Sequence, residues 1–125
     1  MILDTTFLID LEEEVELDRI GIATKFLAAH RNKTKMVTVI SLGELAAGME
    51  NSRDASRFLS RFHVIHLKPE IALVAADVDR DMISRGARLG ESDTWIAGFA
   101  RYYGVPIVSN DLAFDRVPGL RRIQY

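Results

Sequence analysis

The chain contains no cysteine. Disulfides and thiolate metal sites are thereby excluded, and a reducing compartment suits it. Long apolar runs are also missing. Met1-Ile2-Leu3 meets Asp4 at once, with no basic region, so neither a signal peptide nor a membrane span is expected and the expected location is cytoplasmic. Basic charge is not in excess: 16 Lys and Arg stand against 18 Asp and Glu, a net charge of −2. That speaks against a passive nucleic-acid binder, which normally carries a basic surplus. Tryptophan occurs once, as Trp95, and its helical neighbours make it a packing residue rather than a platform for bases. Linkers, repeats and low-complexity segments are absent, so the 125 residues read as a single domain, 1–125.

Four acidic residues then stand out: Asp4, Glu44, Asp93 and Asp111. Each sits where an apolar, strand-like run gives way to the start of a helix or turn. Asp4 follows Met1-Ile2-Leu3, Glu44 follows the Met36–Ile40 run, and Asp111 follows Val105-Pro106-Ile107-Val108-Ser109. Asp93 opens the helical pattern Thr94-Trp95-Ile96-Ala97. In open α/β sheets ligands bind outside the carboxyl ends of the strands, so the four acids are expected in one crevice. Carboxylates about 4 Å apart repel by several kcal/mol at a surface dielectric, and a divalent cation relieves that most simply. Taking the four out of the count turns −2 into +2, which suits metal-dependent work on a phosphate backbone.

The surrounding pattern alternates strands and helices. Residues 1–4 read as a buried strand, with Thr5-Thr6 capping the next helix. Glu12-Glu13-Glu14-Val15-Glu16 reads as a solvated face or loop. Helices are expected from Asp18 to about Arg31, from Ser41 to Met49, from Arg53 to Phe62, from Pro69 to about Arg88, and from Ser92-Asp93 to near Gly104. Strands are expected at Met36–Ile40, Val64–Leu67 and Val105–Ser109, with a last edge strand at Arg122–Gln124. The whole predicts a three-layer α/β/α fold around a mostly parallel sheet.

Each acid alone has a structural reading. Ser41-Leu42-Gly43-Glu44 matches the S-x-x-E capping box, and taken alone the cap is the stronger reading of Glu44. Asp93 and Glu91 suit a helix N-terminus, and Asn110-Asp111 suits a turn. Asp4 resists such a reading, because an acid directly behind a buried triplet is costly unless satisfied. Four such positions at strand ends are better explained by one shared site.

Met-Ile-Leu-Asp-Thr-Thr at the start, Ser-Leu-Gly-Glu-Leu around Glu44, Glu-Ser-Asp-Thr-Trp-Ile-Ala around Asp93, and Val-Ser-Asn-Asp-Leu-Ala-Phe around Asp111 resemble the PIN domain. Among its members they are most similar to the VapC-type toxin nucleases of toxin–antitoxin pairs. The resemblance covers essentially the whole chain. It implies a PIN-like central parallel sheet and a Mg²⁺- or Mn²⁺-dependent endoribonuclease leaving 5′-phosphate and 3′-hydroxyl ends. It also implies a homodimer and silencing by a small VapB-like antitoxin. Carried over by position, Asp4, Glu44, Asp93 and Asp111 are the catalytic metal ligands, with Asp115 a competitor for the fourth place. Thr6 and Ser109 fall on supporting polar positions, and Glu91 stands where an aspartate is common. Arg80, Arg85, Arg88, Arg101 and Arg116 are candidate phosphate contacts. The target is expected to be tRNA or another structured RNA.

Other patterns drop out. Asp77-Val-Asp79-Arg-Asp81 opens like an EF-hand, but Met82 occupies the glycine position and Arg88 the twelfth. An aspartyl phosphatase needs an acid at Thr6, and a receiver domain needs adjacent acids near the first strand. The alternative of another class is a PIN-type binding module that acts with an antitoxin on nucleic acid without catalysis.

Overall fold

The computed structural model describes residues 1–125. Five short strands alternate with helices: β1 (Ile2–Leu3), α1 (Thr5–Glu16), α2 (Ile22–Ala29), β2 (Met36–Thr38), α3 (Val39–Ala47), α4 (Ser52–Leu59), β3 (His63–Ile65), α5 (Pro69–Ser84), α6 (Glu91–Tyr103), β4 (Ile107–Val108) and β5 (Arg122–Ile123). A 3-10 helix, Leu112–Arg116, lies between β4 and β5. The strands make one parallel sheet in the order β3-β2-β1-β4-β5.

Side chains alternate across a strand, so β1 feeds both faces. Leu3, Val37 and Val108 turn to one side and pack with Phe7, Leu8, Leu11, Phe26, Leu45 and Leu59 of the first four helices. Ile2, Ile65 and Ile107 turn to the other and pack with Ile71, Val78, Met82, Ile96 and Phe99 of α5 and α6. The result is the expected three-layer α/β/α arrangement. On the second face α5 and α6 approach closely at Gly98, where an added Cβ would lie 2.6 Å from the Ala75 Cβ. No helix is long and apolar enough to cross a membrane.

Several boundaries differ from the sequence reading. The glutamate-rich stretch is the end of α1, and Glu14 within it is only 3% exposed. Its carboxylate accepts from the backbone N–H of Ala23 (2.9 Å) and Thr24 (2.8 Å) and from the Thr24 hydroxyl, capping α2 from outside. Burial pushes this carboxyl up, but those donors outweigh it and hold it below its ordinary value. Helix α2 begins at Ile22 rather than Asp18, because Asp18 adopts φ 50° and the chain turns there. Ile20, which a helix from Asp18 would include, lies before α2 and is 74% exposed. Helix α5 stops at Ser84, short of Arg88, with Gly86 at φ 65° turning the chain toward α6.

Candidate active site

The chain builds β1, β2 and β3 outward in one direction, then crosses to the other side of β1 for β4 and β5. Such a reversal is where open α/β sheets form their ligand crevice, here outside the carboxyl ends of β1 and β4. Asp4 directly follows β1, and Asp111 lies three residues beyond the end of β4. Glu44 lies on α3, which continues from β2 without a loop, and Asp93 lies in the first turn of α6.

Depth differs among the four. Asp4 is 3% exposed, Asp93 is half-buried, and Glu44 and Asp111 are exposed at the rim. Asp4 is held by two hydroxyls that donate to its Oδ2, Thr6 at 2.9 Å and Ser109 at 2.8 Å. Burial still raises its pKa above the ordinary value against those donors, and the charge of Glu44 adds to the rise. Asp93 accepts no hydrogen bond. Burial, then the charges of Asp4, Asp111 and Glu44, push its pKa up to about 6. A single carboxyl that feels the other three shows that the fold brings the four into one electrostatic neighbourhood.

Glu44 is not the helix cap. Helix α3 starts two residues before Ser41, and Thr38 caps it by accepting from the Ser41 N–H at 3.1 Å. Glu44 thereby escapes the capping-box role, and its Oε1 instead accepts from the Thr5 hydroxyl at 2.7 Å. Asp111 does cap: its Oδ1 accepts from the Ala113 N–H at 2.9 Å, and its own N–H donates to Ser109 Oγ at 3.0 Å. Asp115 is engaged elsewhere. Arg122 grips both its oxygens at 2.9 and 3.0 Å and holds it below the usual carboxylate range. Asp111, unlike Asp115, is among the charges that raise Asp93.

Other expected residues lie apart. Glu91, Thr94 and Trp95 share one face of α6, roughly opposite Asp93, and line a cavity of about 620 Å³ against α5. Trp95 is half-buried there. Arg80 pairs with Asp77, Arg88 with Asp79 at 3.0 Å, and Arg101 with Asp81 at 3.0 Å, all acids of α5. Arg85 and Arg116 are exposed and make no ion pair. The arginine bonded to a segment of the site is Arg122, which also donates to the Ser109 carbonyl at 2.9 Å. The sequence reading makes Thr5 and Ser41 helix caps and Arg122 the start of an edge strand. Asp4 instead stands at the N-cap of α1 and Thr38 at that of α3, and the contacts of Thr5, Ser41 and Arg122 at the site are missed. The contact of Thr5 with Glu44 spans 39 residues of sequence, and only Asp4 and Asp93 have a hydroxyl residue directly beside them, so local spacing gives little signal for it.

The donor set, carboxylates with neither cysteine nor histidine, is that of a hard divalent cation. No three of the acidic or histidine side chains already stand close enough to cage an ion alone. Mg²⁺ does not demand such a cage. It keeps several waters and is usually held by one or two carboxylates plus substrate phosphate. The negative charges gathered around Asp93 suit such an ion.

Residues 1–120 match the family model of the PIN domain. Ribonuclease VapC2 of Haemophilus influenzae is 35% identical over 101 residues, covering 74% of this chain and 76% of the relative. The tRNA(fMet)-specific endonuclease VapC of Salmonella typhimurium is 31% identical over 99 residues, covering 72% and 75%. Among solved structures, VapBC2 from Rickettsia felis bound to a promoter DNA fragment superposes with a TM-score of 0.82 at 21% identity, covering 98% and 96% of the two chains. FitAcB from Neisseria gonorrhoeae gives a TM-score of 0.78 at 15% identity, covering 98% and 95%.

Proposed function

Because this chain belongs to the PIN domain family, with VapC ribonucleases among its relatives, we propose that it is a divalent-metal-dependent endoribonuclease, the toxin of a toxin–antitoxin pair. The observation that carries this reading is the crevice itself: Asp93 is pushed up to about 6 by burial and three other carboxylates, with no basic side chain hydrogen-bonded to it. Asp4, Glu44, Asp93 and Asp111 would hold Mg²⁺ or Mn²⁺. When bound, such an ion lowers the pKa of a water and offsets charge growing on a phosphoryl group during in-line attack. The protein's own part is positional. Thr6 and Ser109 fix one oxygen of Asp4, and Arg122 and Ser109 fix the segment that presents Asp111. Structured RNA is the substrate class, and the relatives named for tRNA(fMet) make initiator tRNA the first one to try. The partners are a VapB-like antitoxin, as in the solved VapBC complexes, and a second copy of the chain.

The test is cleavage of a panel of tRNAs and other structured RNAs by antitoxin-free protein in Mg²⁺, Mn²⁺ or EDTA, beside Asp93→Asn. Metal-dependent cleavage that the variant lacks is the expected result. Cleavage that survives both EDTA and the substitution would sink the mechanism. Antitoxin binding without any cleavage would favour the non-catalytic module.

A further inference from the structure

Adjacent threonines at the start of α1 serve two different acids. Thr6 donates to Asp4, two residues away, while Thr5 reaches Glu44 across 39 residues of sequence. Behind Thr5 stand two further hydroxyls. Ser41 Oγ lies 2.9 Å from Thr5 Oγ1, and Thr38 Oγ1 lies 3.4 Å from Ser41 Oγ. Thr38 and Ser41 are fully buried and Thr5 is 9% exposed, whereas Glu44 faces solvent.

The protons of this row have a forced order when Glu44 is ionised. A hydroxyl donates once, and a carboxylate only accepts. The Thr5 proton therefore goes to Glu44, at the shortest contact of the row, 2.7 Å. Thr5 must then accept from Ser41, and Ser41 from Thr38. Thr38 Oγ1 is itself polarised by the Ser41 N–H that it accepts at 3.1 Å. The Ser41–Thr5 and Thr5–Glu44 bonds point the same way, so each strengthens the other in buried surroundings, and Thr38, at 3.4 Å, adds only a weak contact behind them.

A helix serine usually satisfies its hydroxyl on a carbonyl of its own preceding turn. Ser41 instead turns toward α1. The contact ties the helix that follows β1 to the helix that follows β2, and so fixes Glu44 relative to Asp4. Only Oε1 of Glu44 is taken; Oε2 accepts no hydrogen bond within the chain.

We infer that Thr5, Ser41 and Thr38 form a buried hydroxyl row whose task is to hold Glu44 by one oxygen and present the other to the crevice, making Thr5 and Ser41 positioning residues for the site. This deepens the metal-dependent nuclease reading, on which its kinetic consequence rests. Outer partners of metal-ligating carboxylates typically change metal affinity or activity 10- to 100-fold when removed.

Thr5→Val keeps the shape and removes the donor, whereas Thr5→Ser keeps the donor. With initiator tRNA as substrate, Thr5→Val should lower kcat at least about tenfold with KM within about threefold, and weaken Mn²⁺ binding by calorimetry about tenfold or more. Thr5→Ser should stay within about threefold of the parent in both, and Ser41→Ala should fall between them. Melting curves identify any variant that fails to fold. A second measurement needs neither metal nor RNA: the Thr5 hydroxyl proton should be visible by NMR in the metal-free protein and should shift in Glu44→Ala. If Thr5→Val and Thr5→Ser behave alike, or if that proton exchanges as a free hydroxyl does and ignores Glu44, the inference is overturned. Parent protein without cleavage, but with a Glu44-dependent Thr5 proton, would overturn the nuclease reading and leave the hydroxyl row standing.

Discussion

A half-buried carboxyl facing three others can lower its energy by taking up a proton or a cation. Asp93 is in that position, with a pKa pushed up to about 6 from an ordinary 3.8. Its folded state binds the proton more tightly than the unfolded chain does. The associated stability is thus fully present below about pH 3.8 and is lost as pH rises through about 6. Asp93→Asn removes the charge and keeps the shape. In EDTA at pH 7.5 the variant should melt about 2–5 °C above the parent, and the two melting curves should converge toward pH 4–5. A variant that melts below the parent at pH 7.5 would show that Asp93 carries no such burden. Asp4 is buried deeper, but Thr6 and Ser109 stabilise its charged form, so Asp93 is the cleaner reporter of charge crowding.

Among the elements, α5 and α6 pack with no room to spare at Gly98. Gly98 lets α6 lie against Ala75: an added Cβ would meet the Ala75 Cβ at 2.6 Å and its Cα at 2.9 Å. Alanine is intrinsically the better helix former by about 1 kcal/mol, yet this overpacking costs about 1–3 kcal/mol and involves a backbone atom that cannot rotate away. The net loss is up to about 2 kcal/mol, so Gly98→Ala should lower the melting temperature by up to roughly 10 °C. Ala75→Gly in the same chain should recover only part of the loss, because the Ala75 Cα remains. Since α6 carries Asp93 at its first turn, the variant should also lose cleavage at temperatures where it is still folded. Full recovery by Ala75→Gly would mean that the Cβ contact alone matters. The join between α1 and α2 works differently, through the Glu14 carboxylate seated against Gly21, where a Cβ would fall 2.2 Å from Oε1.

For the molecule as a whole, the crevice joins pieces from the beginning, middle and end of the chain. A ligand that binds only the assembled site must stabilise the entire fold. At about a hundredfold over its dissociation constant, Mg²⁺ should add about 2.7 kcal/mol, a rise of roughly 8–15 °C in melting temperature. Asp4→Asn and Asp93→Asn should lose that rise, while a surface variant such as Arg57→Ala should keep it. Equal rises in all of them would place the ion outside the crevice. Arg57 suits the control because its pairing with Asp54 on α4 is exposed and lies on an element that supplies none of the four acids.

Much of this was legible without coordinates. Alternating apolar runs give the parallel sheet and its covering helices, because a strand buried on both faces must be apolar and a helix needs one apolar stripe. Asp4 was legible for a related reason, because an acid directly behind a buried strand needs a partner, and Asp111 follows β4 closely. Glu44 inside α3 and Asp93 at the start of α6, which follows a helix, do not stand at strand ends. Local spacing misled at Glu44, where a perfect capping-box pattern yielded to Thr38, and at Glu14, where an acidic run hid a buried cap. It is also silent about contacts such as Thr5 with Glu44, or Ser109 with Asp4 across 105 residues of sequence. The pairing of Ile2 with Ile107 and of Ile2 with Met36 sets which hydroxyl meets which carboxylate. Sequence by itself thus determined the layers and the charges that had to be satisfied. The tertiary structure alone chose their partners, because hydrogen bonds are short and directional and only the assembled sheet brings the two ends of the chain within their reach.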